Sequence, residues 1–222
     1  MGAVYVVEEV ETGARRALKV MLPEVLGNER LRGRFAQEAN IGTHIASPHL
    51  VQVVGAGVEA ATNMPWLAME LLEGRDLLAR VHEKGPVEAG ELAALLEQAC
   101  DALAAAHRAG VVHRDLKPDN IFVCENADGT RAAKVLDFGI AKVIQEARTA
   151  NSQAIGSPRW MAPEQAQEHS LIAPATDVWP LGLVAFYALT GRFYWVGSNG
   201  PKETLAKLMR EMLFDPIVPA TE

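Results

Sequence analysis

Alternating hydrophobic and polar residues in the first 70 positions predict short β-strands. Apolar runs at 4–7 and 17–20 flank turn-forming residues at 11–13, which predicts a hairpin. Two further runs, at 50–54 and 66–69, predict two more strands. We therefore expect the N-terminal part of the chain to contain a small antiparallel sheet.

The pattern changes to helical spacing elsewhere. Residues 29–45 and 202–214 each predict a helix, and apolar residues at 87–110 recur at helical spacing until Gly110. Residues 178–190 are apolar nearly all round, which is typical of a buried central helix. Because strands dominate the first part and helices the second, an α+β chain with two unequal parts is expected.

Composition narrows the class of protein. The 222 residues are 49% hydrophobic and 22% charged, which is ordinary for a globular chain and argues against extensive disorder. A formal net charge of −7 disfavours nucleic acid as a partner, because a nucleic-acid-coating protein needs a basic field. No apolar run is long enough to span a bilayer, and the N-terminus has no basic export signal. The two cysteines are not paired in a CxxC motif, so we expect a reduced, cytoplasmic chain.

One stretch carries most of the functional information. Residues 113–120 have the sequence H-R-D-L-K-P-D-N and match the pattern H-R-D-L-x-x-x-N at every fixed position. Such a match arises by chance in a chain of this length at odds on the order of one in ten thousand. In the expected order, A-L-K at 17–19 precedes it, whereas D-F-G at 137–139 and A-P-E at 162–164 follow.

These motifs resemble the protein kinase family over essentially the whole chain. The resemblance implies a bilobal fold, with residues 1–69 as a strand-rich N-lobe with one long helix, 70–74 as a hinge and 75–222 as a larger helical C-lobe. It also implies phosphoryl transfer from ATP to protein substrates, with Mg²⁺, or else Mn²⁺, as the metal.

The resemblance assigns a role to each polar motif residue. Asp115 would accept the proton of the substrate hydroxyl, while Asn120 and Asp137 would hold the metal ions. Lys19 would contact the α- and β-phosphates and be held by Glu38 on the predicted 29–45 helix. Taken singly, these residues are more often surface ion pairs or turn formers; it is the complete set that favours the catalytic interpretation.

Other matching positions would bind the nucleotide. Val4 and Ala17 would lie above the adenine and Phe122 below it, with Met69 at the back of the pocket. The backbone at 70–72 would hydrogen-bond the base. The full set implied by the resemblance is Gly2, Val4, Ala17, Lys19, Met69, Glu70, Leu72, Asp76 (for the ribose) and Phe122. Apolar residues here would be core in any fold, so their cofactor role rests on the resemblance alone.

Two features point to the serine/threonine type. Lys117, two residues after Asp115, would contact the γ-phosphate, and Ser157 would stand in the substrate-facing loop in place of the usual threonine. Arg114, a cation beside the catalytic aspartate, implies a phosphorylated activation segment, for which Thr149 and Ser152 are candidates.

The remaining motif residues are expected to be structural. The resemblance gives this role to His113, Arg114, Phe138, Gly139, Ser157, Glu164 and Asp177. Asp177 would buttress the catalytic loop, and Glu164 lacks an obvious arginine partner after it in the sequence. His82, His107 and His169 are interpreted as ordinary surface or satisfied polar residues.

The chain departs from the family at both ends. Of the phosphate-covering pattern G-x-G-x-x-G-x-V only Gly2 is present, so we expect an N-lobe without its first strand and most of that loop. The C-lobe is expected to lack its last helices. Within the chain, Gly42 is small for a hydrophobic stack, and Pro180 falls inside a predicted helix, where it removes a hydrogen bond.

Two other functions stay open from the sequence. A pseudokinase or catalytically impaired fragment would bind nucleotide or a partner without turnover, as the missing glycines suggest. A small-molecule phosphotransferase shares an H-x-D-x-x-x-x-N loop, but A-P-E at 162–164 and Lys117 favour protein acceptors. The sequence indicates no oligomeric state.

Overall fold

The computed structural model describes residues 3–20, 45–62, 64–126, 128–137, 158–167, 170–196 and 204–220. Four strands form an antiparallel sheet in the order β1-β2-β4-β3, here called the N-lobe sheet. They are β1 (Ala3–Glu8), β2 (Arg15–Val20), β3 (Val53–Val58) and β4 (Pro65–Glu70). The predicted hairpin is present, and Gly13 in its turn adopts a φ of 69°, a backbone conformation that glycine adopts without strain.

The third strand differs from its prediction. The apolar run at 50–54 predicted a strand there, but β3 begins at Val53, and Leu50 instead forms an isolated bridge with Val135. Two glycines lie in β3 because the indole of Trp66 packs across them, at 3.0 Å from where a Cβ of Gly57 would stand. Glycine has low strand propensity, so the sequence pattern could not place this strand correctly.

A second, three-stranded antiparallel sheet follows, which the sequence pattern did not predict. It consists of β5 (Gly74–Asp76), β6 (Ile121–Glu125) and β7 (Arg131–Val135) in the order β5-β6-β7. The helices within the described residues are α1 (Leu77–Lys84), α2 (Ala89–Arg108), α3 (Ala175–Thr190) and α4 (Leu205–Leu213). Short 3₁₀ turns lie at Pro118–Asn120, Pro158–Trp160 and Pro163–Ala166.

The main core lies around α2. Its apolar stripe, including Leu95, Ala99 and Leu103, packs with the buried residues Ile121 of β6 and Val135 of β7. The helix lies inside the predicted 87–110 segment, and Glu88 caps its N-terminus by accepting a hydrogen bond from the Glu91 N–H. No helix in these described ranges combines the length and apolar character that a bilayer-spanning segment requires.

Helix α3 is less enclosed than its sequence predicts. The apolar run predicted a helix buried all round, but Val178 is 64% exposed and Leu189 is also exposed. Its buried face instead includes Asp177, Leu183 and Val184. Apolar composition alone cannot distinguish a buried face from an exposed one, which is why this prediction was wrong.

Candidate active site

The segment 113–120, here called the catalytic loop, is attached to α3 through one buried carboxylate. Asp177 Oδ1 accepts a hydrogen bond from the Arg114 N–H at 2.9 Å, and Oδ2 accepts one from the His113 N–H at 2.9 Å. The His107 Nε2 atom on α2 lies 2.7 Å from Oδ2. Because the Asp177 side chain is 0% exposed, these three partners compensate the loss of hydration of its charge.

The His113 imidazole fixes the geometry on the other side of the loop. Its Nδ1 atom accepts a hydrogen bond from the Asp115 N–H at 3.2 Å, and its Nε2 atom lies 2.8 Å from the Leu136 carbonyl oxygen. This arrangement requires a proton on Nε2 and a free electron pair on Nδ1. The buried ring therefore links the backbone of Asp115 to the residue that precedes Asp137.

The carboxylate of Asp115 has two polar neighbours within the loop. Lys117 Nζ lies 3.3 Å from Oδ2, and Asn120 Nδ2 lies 3.4 Å from the same oxygen. The Asn120 amide also donates to the Asp115 carbonyl oxygen at 2.7 Å, which closes the loop on itself. The Asp115 side chain is 32% exposed, so its carboxylate remains open to an incoming hydroxyl group.

Asp137 and Lys19 meet although they are far apart in sequence. Lys19 Nζ on β2 lies 2.6 Å from Asp137 Oδ2, and both side chains are largely shielded from solvent. The Leu136 N–H donates to the Asn120 carbonyl oxygen at 2.9 Å, which keeps Asp137 beside the catalytic loop. The structure thus brings Lys19, Asp115, Asn120 and Asp137 into one site.

The donor set beside Asp137 fits a hard divalent cation. Asn120 uses its amide nitrogen to hold Asp115, which leaves its amide oxygen as an acceptor, and Asp137, which follows the Leu136 bonded to the Asn120 carbonyl, supplies a carboxylate. Mg²⁺ prefers oxygen ligands and is commonly held by one or two protein groups together with phosphates and water.

The N-lobe sheet presents a largely apolar face above this site. Ala17 pairs in register with Val6 on one side and with Met69 on the other, so these three side chains share a face. Met69 is buried in a small cluster to which Ala17, Leu72 and Leu136 contribute. Sequence analysis did not identify Leu136, whose only signal is its position directly before Asp137.

The other residues expected to bind nucleotide are spread around this cluster. Val4 is 59% exposed on β1, and Phe122 is half-buried on β6, paired in register with Asp76. Asp76 caps α1 by accepting a hydrogen bond from the Ala79 N–H at Oδ1 at 2.7 Å, and its carboxylate keeps further acceptor capacity for a ribose.

The Glu70 side chain is engaged within the protein. Its Oε1 atom lies 2.5 Å from Lys134 Nζ on β7 and accepts a hydrogen bond from the Gln52 N–H at 2.8 Å. The Val51 N–H donates to the Val135 carbonyl oxygen at 3.0 Å, which extends the same seam between the two sheets. The Glu70 N–H is engaged as well, because it donates to the Gln52 carbonyl oxygen at 2.9 Å. Sequence analysis did not identify Lys134.

Two titratable side chains near the site have raised pKa values. Burial raises the pKa of the Cys124 thiol on β6, and burial together with the charge of Asp119 raises the pKa of the Tyr187 hydroxyl on α3. Both groups stay protonated at neutral pH, so neither provides a nucleophile or a charge for the chemistry.

One expected structural residue, Glu164, lies half-buried in the 163–166 turn and has no ion pair among the described residues. The structure describes only part of the predicted set. The expected site or structural residues that lie outside the described residues are Gly2, Glu38, Phe138, Gly139, Thr149, Ser152 and Ser157.

Comparison with known proteins identifies the family to which these motifs correspond. The model of the protein kinase domain family matches residues 1–219. The serine/threonine-protein kinase Pkn1 of Myxococcus xanthus is 41% identical over 86% of this chain, and AfsK of Streptomyces coelicolor is 37% identical over 95%. This chain spans only 27% and 25% of those two proteins, respectively.

The fold agrees with that of a solved bacterial kinase domain. The crystal structure of the Mycobacterium tuberculosis PknI kinase domain matches with a TM-score of 0.71 and 24% identity. The match covers 96% of this chain and 80% of that one. The predicted protein-kinase-like α+β fold is thereby confirmed.

Proposed function

The chain belongs to the protein kinase family, and we propose that it transfers the γ-phosphoryl group of ATP to serine and threonine hydroxyls of proteins. The observation that carries the proposal is the convergence of Lys19, Asp115, Asn120 and Asp137 in one site. Relatives named serine/threonine-protein kinases cover most of the chain and support this choice of acceptor.

Asp115 is proposed as the acceptor of the substrate proton. The hydroxyl oxygen of the substrate attacks the γ-phosphorus, the bond to the β-phosphate oxygen breaks, and the hydroxyl proton passes to the Asp115 carboxylate. Lys117, 3.3 Å from that carboxylate, supplies a positive charge at the place where the transferring phosphoryl group would pass.

Lys19 and Asp137 are proposed to position the nucleotide phosphates. Asn120 and Asp137 would hold Mg²⁺, or Mn²⁺ in its place, and the metal would neutralise charge on the β- and γ-phosphates when bound. Lys19 would then exchange its ion pair with Asp137 for contacts with the α- and β-phosphates. The Glu38 carboxylate is proposed as the other partner of Lys19.

The adenine is proposed to occupy the space below the apolar face of the N-lobe sheet. Ala17 and Met69, together with Leu72 and Leu136, form a cluster of the apolar character that a base requires. Because the Glu70 carboxylate is occupied by Lys134, the backbone at 70–72 would make the hydrogen bonds to the base. This segment, 70–74, is the proposed hinge between an N-lobe at 1–69 and a C-lobe at 75–222.

Regulation is proposed to use a phosphate near Arg114. The guanidinium of Arg114 has no ion pair among the described residues, and Thr149 or Ser152 would supply the anion once phosphorylated. Mass spectrometry of an active preparation tests this; no phosphate between Gly139 and Gly156 would contradict it. We further propose a cytoplasmic signalling role without a nucleic-acid partner, which the net charge of −7 disfavours.

The deciding experiment compares acceptors. Purified protein with Mg²⁺ and γ-labelled ATP is incubated with casein-type proteins and, separately, with aminoglycosides. We expect label on phosphoserine and phosphothreonine of the protein acceptor and none after Asp115→Asn. Transfer to aminoglycosides alone would indicate a small-molecule phosphotransferase, and ATP binding without transfer would indicate a pseudokinase.

A further inference from the structure

Arg114 holds an unusual backbone conformation directly before the proposed base. Its φ is 67°, in the left-handed region that residues with a side chain rarely adopt. Such a conformation persists only where the surroundings determine it, and it is often found at functional sites. The contacts that hold this residue therefore also determine where Asp115 points.

Three side chains hold the two peptide groups around Arg114. The N–H of Arg114 donates to Asp177 Oδ1 at 2.9 Å, and the N–H of Asp115 donates to His113 Nδ1 at 3.2 Å. The carbonyl oxygen of Arg114 accepts a hydrogen bond from Gln165 Nε2 at 2.7 Å. The peptide group between Arg114 and Asp115 is thus fixed at its N–H by His113 and at its carbonyl by Gln165.

Gln165 is itself held in a single orientation. Its side-chain Oε1 atom accepts a hydrogen bond from the Ala162 N–H at 2.9 Å, and the backbone N–H of Gln165 donates to the Ala162 carbonyl oxygen at 3.0 Å. Because Oε1 faces an N–H donor and Nε2 faces a carbonyl, the amide cannot be turned over without losing both bonds. Ala162 is fully buried, so this anchor is firm.

We infer that Gln165 is a positioning residue, which fixes the peptide group before Asp115 and ties the 158–166 segment to the catalytic loop. The inference rests on the proposed kinase function, because Asp115 is the group whose position it controls. The required side chain is an amide of this length, since it must accept at one end and donate at the other. Within the described part of the chain, the Gln165 amide bonds to Ala162 and Arg114 and not to Lys19 or Asp137, so nucleotide binding should not depend on it.

The test uses two nearly isosteric substitutions and a matched control. Gln165→Met removes both hydrogen bonds, and Gln165→Glu replaces the donor to Arg114 with a second acceptor at neutral pH. The control is Gln167→Glu, two residues away, where the side chain is exposed and, of the described residues, is hydrogen-bonded to the Ser170 hydroxyl at 3.3 Å. We expect both Gln165 substitutions to lower kcat by about ten- to a hundredfold, with the KM for ATP and the control nearly unchanged.

The pH profile distinguishes positioning from a general loss of folding. A protonated carboxyl group at position 165 can donate to the Arg114 carbonyl and still accept from the Ala162 N–H, as the native amide does. The kcat of Gln165→Glu relative to the native protein should therefore rise as pH falls, whereas that of Gln165→Met should stay constant. Parallel profiles for the two variants would overturn the inference.

A measurement independent of turnover completes the test. Hydrogen exchange of the Arg114 and Asp115 amides should be faster in both Gln165 variants at neutral pH and unchanged in Gln167→Glu. If the native protein transfers no phosphate, the proposed function fails, and the exchange rates alone decide the inference. Unchanged exchange, native kcat, or a joint loss of ATP binding and thermal stability in Gln165→Met would each overturn it.

Discussion

The two sides of the active site are held in different ways. The catalytic loop is fixed by hydrogen bonds to buried groups, above all the Asp177 carboxylate and the His113 imidazole. Lys19, on the opposite side, lies on a thin sheet whose outermost strand exposes 59% of Val4 and of Val6. Among the residues that the structure describes, its side chain forms one ion pair, with Asp137.

This difference corresponds to what each side must do. Proton acceptance needs an oxygen held in place before the substrate arrives, because misplacement by about an ångström can cost a hundredfold in rate. Phosphate binding can instead order its own side chains, since the nucleotide contributes charge and contacts of its own. We therefore expect replacement of the buried Asp177 carboxylate on the loop side to affect both folding and turnover, and replacement of Lys19 on the sheet side to affect mainly turnover.

The largest effect on turnover should come from Asp137, which joins the catalytic-loop side to Lys19 on the N-lobe sheet. Asp137→Asn removes the carboxylate that pairs with Lys19 and that would hold the metal, so kcat should fall by at least about a thousandfold. Lys19→Met should lower turnover similarly while Mg²⁺–ATP binding stays measurable, because ground-state binding and transition-state stabilisation are separable. Radiolabel transfer and calorimetry measure the two quantities.

The control for this pair is Asp128→Asn, at an exposed turn position where the carboxylate accepts hydrogen bonds from the Thr130 N–H and hydroxyl. Thermal melting of all three variants should match that of the native protein. Activity of Asp137→Asn within tenfold of the native value would refute its assignment.

On the loop side, Asp177→Asn should reduce stability as well as turnover. Its amide nitrogen would face one of the backbone N–H groups of His113 or Arg114, so a buried hydrogen bond would become a repulsion. We expect a loss of roughly 3 kcal/mol in the free energy of unfolding, measured in urea. Asp101→Asn, at an exposed position on α2, is the matched control and should change little. Native stability in Asp177→Asn would remove the proposed difference between the two sides.

The sequence predicts the motif residues far better than the contacts that orient them. Asp115, Asn120 and Asp137 are recognisable because they belong to sequence motifs with fixed residue types and spacing. His107 was interpreted as a surface or satisfied polar residue, but its partner Asp177 lies 70 residues away, and no local pattern encodes that pairing. Sequence analysis assigned no role to Gln165, because a glutamine amide is neither titratable nor nucleophilic and does not by itself indicate a site.

The secondary-structure elements were likewise predicted well only where their pattern is local. The periodicity of α2 is long and one-sided, so its prediction agrees with the structure within two residues at each end. The strand at Val53–Val58 was misplaced because its glycines are explained by the cross-strand contact with Trp66, which only the fold reveals. Patterns that one element determines by itself are predictable, and those that depend on a partner element are not.

A smaller effect is expected at the seam between the two sheets. Glu70 and Lys134 form a pair whose side chains are 24% and 20% exposed, and it joins β4 to β7. A double-mutant cycle with Glu70→Gln and Lys134→Met should give a coupling of about 1 kcal/mol in unfolding and a few-fold increase in the KM for ATP. The pair Arg16–Glu9, which lies within one hairpin, is the comparison and should leave KM unchanged. Equal effects of the two pairs on KM would show that the seam does not position the hinge.

The smallest effect concerns two carboxylates with lowered pKa values, Glu9 in the hairpin of the N-lobe sheet and Glu88 at the start of α2. Hydrogen bonds from the backbone N–H groups of Gly90 and Glu91 lower the pKa of Glu88 at the start of α2. Hydrogen bonds from the Thr12 hydroxyl and then from Arg16 lower the pKa of Glu9 in the hairpin turn. Because each group binds its proton less readily in the folded state, its stabilising contribution is complete above the ordinary carboxyl pKa of roughly 4.3. That contribution is lost as the pH falls through the lowered folded-state value.

The substitutions Glu88→Gln and Glu9→Gln should therefore lower the melting temperature at pH 7 and have less effect near pH 3. The decrease should be larger for Glu88→Gln, because α2 packs in the main core, whereas the Glu9 turn belongs to the exposed edge of the N-lobe sheet. Melting curves at both pH values measure this directly. An equal or larger decrease for Glu9→Gln would mean that the hairpin contributes as much to global stability as the C-lobe helix, and the contrast between the two sides would then be confined to the catalytic loop.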